Sequence, residues 1–185
     1  MNVEFTLIRS SRRSISMRID GPGKVTIRAP LRMSEREIRR FVESRKEWLQ
    51  KNMQKVVDTA RATADLQPLT PTELKELTRQ AKEQIPQRVQ FFARQMGVEY
   101  NRITIRCQKT RWGSCSSRKD LNFNCLLMMV PEEELDYVVV HELCHLREMN
   151  HSPAFWAQVE AVLPDYKERK AWFRSHGAEI MSRHP

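Results

Sequence analysis

Residues 138–152 read Val138-Val139-Val140-His141-Glu142-Leu143-Cys144-His145-Leu146-Arg147-Glu148-Met149-Asn150-His151-Ser152. On an α-helix His141 and His145 lie one turn apart on the same face, so both imidazoles can bind one ion, and Glu142 can reach a water on that ion as general base. This His-Glu-x-x-His spacing predicts a zinc hydrolase centre. A catalytic zinc usually takes three protein ligands and keeps a fourth position open for water. His151 is the expected third ligand. It lies ten residues after His141, too far round a straight helix to share its face. The chain is therefore expected to turn back after about Met149, with Asn150, which tolerates the left-handed conformation, at the turn. With 5 His and 17 Glu in 185 residues, a chance match is expected in about one chain in a hundred. Three of the five histidines also fall within eleven residues, and a surface helix with solvent-facing histidines explains neither the spacing nor the clustering.

The helix that must carry this motif begins at Pro131, with Glu132, Glu133 and Glu134 matching the positive end of the helix dipole. Leu135, Val138, Val139, Leu143 and Leu146 bury one side of it, and the β-branched run before His141 predicts rigid packing behind the ligands. Cys144 reads as a small apolar residue on the packed side rather than a ligand. Pro153 to about Leu163 forms the next helix, Pro164 separates it from a last one starting at Tyr166, and Phe155, Trp156, Val159, Trp172 and Phe173 read as core. Upstream, Leu74, Leu77, Ala81, Ile85, Val89, Phe92 and Met96 mark a helix from Thr72 or Glu73, with a kink or break expected at Pro86 and a C-cap at Gly97. Arg102–Arg106 and Leu121–Met129 read as two strands of a hairpin, joined by a cationic segment around Arg111 and Trp112.

The N-terminal part has a different character. Val3–Ile8, Ser14–Ile19 and Val25–Ile27 alternate as strands of a small antiparallel sheet, with Gly21-Pro22-Gly23 as a turn. Ser34 to Glu37 forms a capping box for a helix running to about Val57. The apolar period then fades before Pro71. The expected organisation is a basic β-hairpin and helix subdomain at 1–60, a linker at 61–71 and a catalytic domain at 72–185. Residues 1–60 carry a net charge of +7, against +2 for the rest. Such a face attracts polyanions, but a charge run is more often simply solvated. No stretch has signal-peptide or transmembrane character, and the four cysteines form no Cys-x-x-Cys pair; the expected compartment is the cytoplasm.

The run His141-Glu142-Leu143-Cys144-His145, followed by Asn150-His151-Ser152 and Phe155-Trp156, resembles the YgjP-like, WLM-related metallopeptidase family of bacteria. Arg111-Trp112-Gly113-Ser114-Cys115 matches that family's other hallmark, and the resemblance extends over most of the chain, including the Arg-rich N-terminus. It implies an α+β, zincin-like fold, a small antiparallel sheet packed on the active helix and further helices. It also implies one zinc per chain held by His141, His145 and His151, with Glu142 as catalytic base. It places the cationic segment beside the edge strand on which zincins receive extended substrate backbone. Arg111 and Trp112 are thereby candidates for substrate contact, against the alternative that a Trp beside Gly is packing. Glu148, Glu160 and Glu168 are the alternative third ligands, since some zincins use a glutamate instead. His151 is preferred because imidazole suits zinc and the family pattern has a histidine there. Glu148 remains a candidate for orienting a ligand.

The expected function is zinc-dependent hydrolysis of a peptide or protein, Glu142 taking a proton from water and passing it to the leaving amine. The sequence leaves open whether a tyrosine, Arg111 or the metal stabilises the oxyanion. A second reading keeps the metal but makes the substrate a nucleotide, as in a triphosphate pyrophosphatase or phosphohydrolase, with arginines neutralising phosphate. A third is a nucleic-acid-associated, SprT-like protease or binding protein, argued only from the basic N-terminus. No membrane partner is expected.

Overall fold

The computed structural model describes residues 5–185, in two units divided between Asp65 and Leu66, each with its own hydrophobic core. The class is α+β, as the sequence implied.

In the first unit three strands, β1 (Phe5–Ser10), β2 (Ser16–Gly21) and β3 (Lys24–Pro30), precede two helices, α1 (Glu35–Ser44) and α2 (Lys46–Ala62). The beginning of the first expected strand, Val3, lies outside the described residues. The sheet is mixed rather than antiparallel. Its order is β1-β3-β2, β3 pairing antiparallel with β2 and parallel with β1. Alternation marks a strand but carries no direction, and β3, whose Val25, Ile27 and Ala29 are all buried, takes the centre. The capping box of Ser34 and Glu37 is present. The single expected helix is broken at Arg45, whose φ of −113° and ψ of 10° leave helical geometry. The second helix then runs to Ala62, so the start of the stretch read as a linker is helical. Arg9 donates to the carbonyls of Pro30, Leu31 and Met33, and Arg18 pairs with Asp20. Two of the N-terminal arginines are thus committed within the unit.

The second unit opens with α3 (Pro71–Met96), capped by a Thr70–Glu73 box and closed by Gly97 in the left-handed region at φ 61°. Pro86 does not break it. Ala81, Ile85, Val89 and Phe92 bury one stripe that spans the proline, and packing of this stripe against neighbours on both sides of Pro86 holds the helix continuous. Then come β4 (Arg102–Arg106), β5 (Gly113–Cys115) and β6 (Asp120–Asn124), followed by a 3-10 turn over Cys125–Met129 and helices α4 (Glu132–Cys144), α5 (Pro153–Val162) and α6 (Tyr166–Ser182). The expected hairpin is not formed. β4 runs parallel to β6, and the short β5 inserts antiparallel on the other side, giving the order β4-β6-β5. The second expected strand stops at Asn124 because that residue's side chain accepts the Leu126 N–H and starts the 3-10 turn. Among the described residues no helix is long and apolar enough to cross a membrane.

α4 is held from both sides by ion pairs. Arg88 of α3 reaches Asp136 and Glu132, while Arg169 of α6 binds Glu134 at 3.1 Å and Asp165 at 2.6 Å. Glu134 is 9% exposed, so removing its partner leaves an almost buried carboxylate unpaired. Arg169→Met is expected to destabilise the protein by about 2–4 kcal/mol, read from the urea midpoint. A change below about 0.5 kcal/mol would show that Glu134 finds other compensation.

Candidate metal centre

α4 brings the chemistry to its last turn. Leu135, Val138, Val139, Val140, Leu143 and Cys144 are buried, which leaves His141 and Glu142 to face the remaining side. The helix ends at Cys144, earlier than the expected Met149. His145 is its C-cap and is still in the right-handed region, at φ −64° and ψ −15°, so the one-turn spacing from His141 survives. A tight turn follows, in which the N–H groups of Arg147 and Glu148 both return to the carbonyl of Cys144. Asn150 does not adopt the left-handed conformation, since Lys119 is the non-glycine residue with positive φ among the described residues. Its side-chain oxygen instead accepts the Ser152 N–H at 3.1 Å, and Ser152 caps α5. His151 is thereby returned to the other two histidines.

Ligand-type nitrogens of His141, His145 and His151 all lie within 4.8 Å of one another, and the Nε2 atoms of His141 and His151 are 3.0 Å apart. His145 Nδ1 sits 2.9 Å from the Glu148 carbonyl oxygen. That nitrogen must be the protonated one, so Nε2 keeps its lone pair. Glu148 thus orients a ligand through its backbone rather than its carboxylate, which instead lies near the Ser152 hydroxyl. Burial, with smaller contributions from His145, His151 and Lys170, pushes His141 down to about 3. Burial and the same neighbouring His145 and Lys170 also lower His151. Neutral imidazoles are what a metal requires. His141 Nδ1 is buried without a partner. Three imidazoles converging on one point are a donor set that fits a zinc-sized cation.

Phe155 forms the floor of the cluster. It is fully buried, and its ring centroid lies 4.9, 4.6 and 4.8 Å from those of His141, His145 and His151. Trp156 stacks on His151 at 5.6 Å and on Tyr166 at 5.4 Å. Both aromatics were expected in the core, and nothing in their spacing marked them as a support for the histidines.

Glu142 is 5% exposed. Burial, opposed by the charge of Arg111, pushes its carboxyl up to about 8, and its Oε2 has no hydrogen-bond partner. The side chain lies directly across β5. A Cβ placed on Gly113 would come within 2.6 Å of Glu142 Oε1, 2.7 Å of its Cγ and 2.9 Å of its Cδ. Gly113 is therefore required by the carboxylate rather than by a turn. The loop before it is tied by Asn124, which is 1% exposed and donates to the carbonyls of Gln108 at 2.7 Å and Arg111 at 2.9 Å. Asn124 had no sequence signal, and Gly113 stood in the Arg111–Cys115 motif with no role assigned to it.

A cavity of about 350 Å³ opens beside the centre, lined by Trp112, Gly113, Tyr137, His141, Glu142 and residues of α6. Trp112 lines it while packing 5.0 Å from Phe173, so the contact and packing readings of this residue are compatible. Arg111 is exposed and acts on Glu142 through its charge rather than from the cavity wall. Burial pushes the Tyr137 hydroxyl up to about 12, so it remains a proton donor at neutral pH. Glu160 and Glu168 stand outside the histidine cluster, the first paired with Lys167. All four cysteines are free.

The family model described as YgjP-like, metallopeptidase domain, matches residues 13–76 and 70–176. No curated protein matches the chain. Among solved structures, the metallopeptidase zymogen of Pyrococcus abyssi abylysin is 25% identical at a TM-score of 0.46, over 49% of this chain and 92% of that one. The metallopeptidase zymogen of Methanocaldococcus jannaschii jannalysin is 23% identical at a TM-score of 0.45, over 49% of this chain and 94% of that one.

Proposed function

The chain belongs to the YgjP-like family of metallopeptidase domains, and we propose that it is a zinc-dependent peptidase in which His141, His145 and His151 hold the metal and Glu142 is the general base. The observation that carries this reading is the convergence of three imidazoles, within 4.8 Å of one another, beside a buried carboxylate that has a lone acceptor atom. Zinc, when bound, supplies a Lewis acid that polarises a carbonyl and lowers the pKa of water from 15.7 toward about 7.

The chain's own residues do the rest. Glu142 accepts a proton and delivers it to the leaving amine. Its side chain, pressed between α4 and the backbone of Gly113, has little rotational freedom, so it is already aimed before substrate arrives. β5 stands at the edge of its sheet and lies against this same carboxylate. An extended peptide pairing with that edge would pass beside Glu142, with Trp112 and the Tyr137 hydroxyl on the cavity walls. Arg111 supports the ionised form of Glu142.

The test is metal removal and return. The purified protein is expected to carry about one zinc per chain, to lose peptide hydrolysis on dialysis against a chelator, and to regain it with zinc. His151→Ala should weaken zinc retention by at least about tenfold and lower the melting temperature of the zinc-loaded protein, because metal binding is linked to folding. If His151→Ala keeps full zinc affinity while Glu148→Ala or Glu160→Ala loses it, the ligand set is wrong.

A further inference from the structure

The face of α6 turned toward the cavity carries Lys170, Phe173, Arg174 and Gly177, spaced as one helical stripe. Gly177 is buried, and a Cβ there would sit 3.5 Å from the Trp112 ring. Phe173 packs 5.0 Å from Trp112 and 6.0 Å from Tyr137. These contacts seat the stripe against the site, and Lys170 and Arg174 line the same cavity as His141 and Glu142. The Lys170 ammonium lies 4.0 Å from the centre of the Trp156 ring, the ring that backs His151.

The other lysines and arginines of α6 and its C-cap are paired. Lys167 binds Glu160, Arg169 binds Asp165 and Glu134, and Arg183 reaches Glu73. Among the described residues neither Lys170 nor Arg174 has a carboxylate partner. Two unpaired cations one turn apart, Lys170 half-buried and Arg174 exposed, at an aromatic-walled cavity are a place for an anion. The flat guanidinium fork beside a point-charge ammonium suits a carboxylate. A triphosphate would call for a glycine-rich loop as well, and Gly113 is the one glycine among the residues that line this cavity.

We propose that Lys170 and Arg174 form a subsite for a carboxylate of the peptide substrate next to the bond that is cleaved. The carboxylate is either an acidic side chain or the peptide's own C-terminus. The proposal rests on the peptidase reading for its consequence in catalysis, but not for binding.

The experiment compares three peptides identical except at one residue and the terminus: Glu with an amidated end, Gln with an amidated end, and Gln with a free end. The zinc-loaded wild type is expected to cleave one of the two carboxylate peptides with kcat/KM at least about tenfold above the fully neutral one; which one wins identifies the source. In the Lys170→Gln/Arg174→Gln double variant the advantage should vanish through KM, with zinc content and melting temperature retained. Arg174→Glu should move preference toward a Lys-containing peptide. Equal cleavage of all three by the wild type, or a preference that survives in the double variant, overturns the subsite and leaves the peptidase reading standing.

Binding separates the two ideas when nothing is cleaved. Trp112 and Trp156 flank the subsite, so their fluorescence reports occupancy of the Glu142→Gln protein. Tighter binding of a carboxylate peptide, by about tenfold and lost in the triple variant, upholds the subsite even if the peptidase reading fails. Equal binding of all three peptides, or displacement of the carboxylate peptide by ATP at far lower concentration, overturns it.

Discussion

Glu142→Gln is expected to leave zinc bound at the wild-type ratio, leave the fold unchanged and reduce peptide hydrolysis at least about a hundredfold, within the range that a positioned general base contributes. Glutamine matches the carboxylate in size but cannot take the proton. The substitution should cost no stability. In the metal-free protein the carboxyl is 5% exposed, has an oxygen without a hydrogen-bond partner, and is pushed up to about 8 by burial. A neutral amide in the same space removes that desolvation cost, so the metal-free melting temperature should be equal or higher. The measurements are metal analysis, a thermal scan with and without chelator, and kcat/KM on one peptide. Activity above a tenth of wild type would sink Glu142 as general base.

The second large effect comes from a residue with no functional group. Gly113→Ala places a methyl carbon where Glu142 Oε1, Cγ and Cδ would stand 2.6, 2.7 and 2.9 Å away. A terminal oxygen alone could swing aside, but Cγ cannot move without shifting the buried helix side chain as a whole. Gly113 has no positive φ, so alanine meets no backbone penalty and the clash is purely between side chains. Displacing the carboxylate by about an ångström is expected to lower kcat about a hundredfold. Zinc content should remain at wild type, because no ligand is touched. A variant that keeps more than a third of wild-type kcat would mean that Glu142 is not positioned by β5.

The histidine cluster was legible because metal chemistry constrains residue type and spacing together. His141 and His145 needed only the 3.6-residue turn, and His151 only a chain that reverses. How it reverses was not legible. The sequence suggested a longer helix with a left-handed Asn150, whereas the helix stops at Cys144 and the Glu148 carbonyl takes up His145 Nδ1. Backbone acceptors have no sequence signature. Strand positions were readable from alternation at Val25 and Ile27, but strand direction was not, so both sheets were expected antiparallel and proved mixed. The residues that support the site were the least visible. Asn124, Phe155 and Gly113 look like an ordinary polar residue, a core aromatic and a loop glycine until the tertiary structure sets them against Arg111, the histidines and Glu142. Lys170 and Arg174 were hidden among 32 basic residues, and only their location distinguishes them.

Phe155 has a consequence for how changes at the centre combine. One ring touches all three imidazoles at 4.6–4.9 Å between centroids, so the histidines share a single rigid neighbour although they come from a helix, its cap and a loop. A void opened beneath one of them is a void beside the other two. The effects of altering two of these positions should therefore be non-additive, the second loss being smaller than when made alone, because the first has already slackened the common support. The same ring ties the start of α5 to the end of α4. The histidine cluster and the junction between these helices thus form one mechanical element, and a solvent-exposed change that loosens the α5 cap can reach the three imidazoles without touching them.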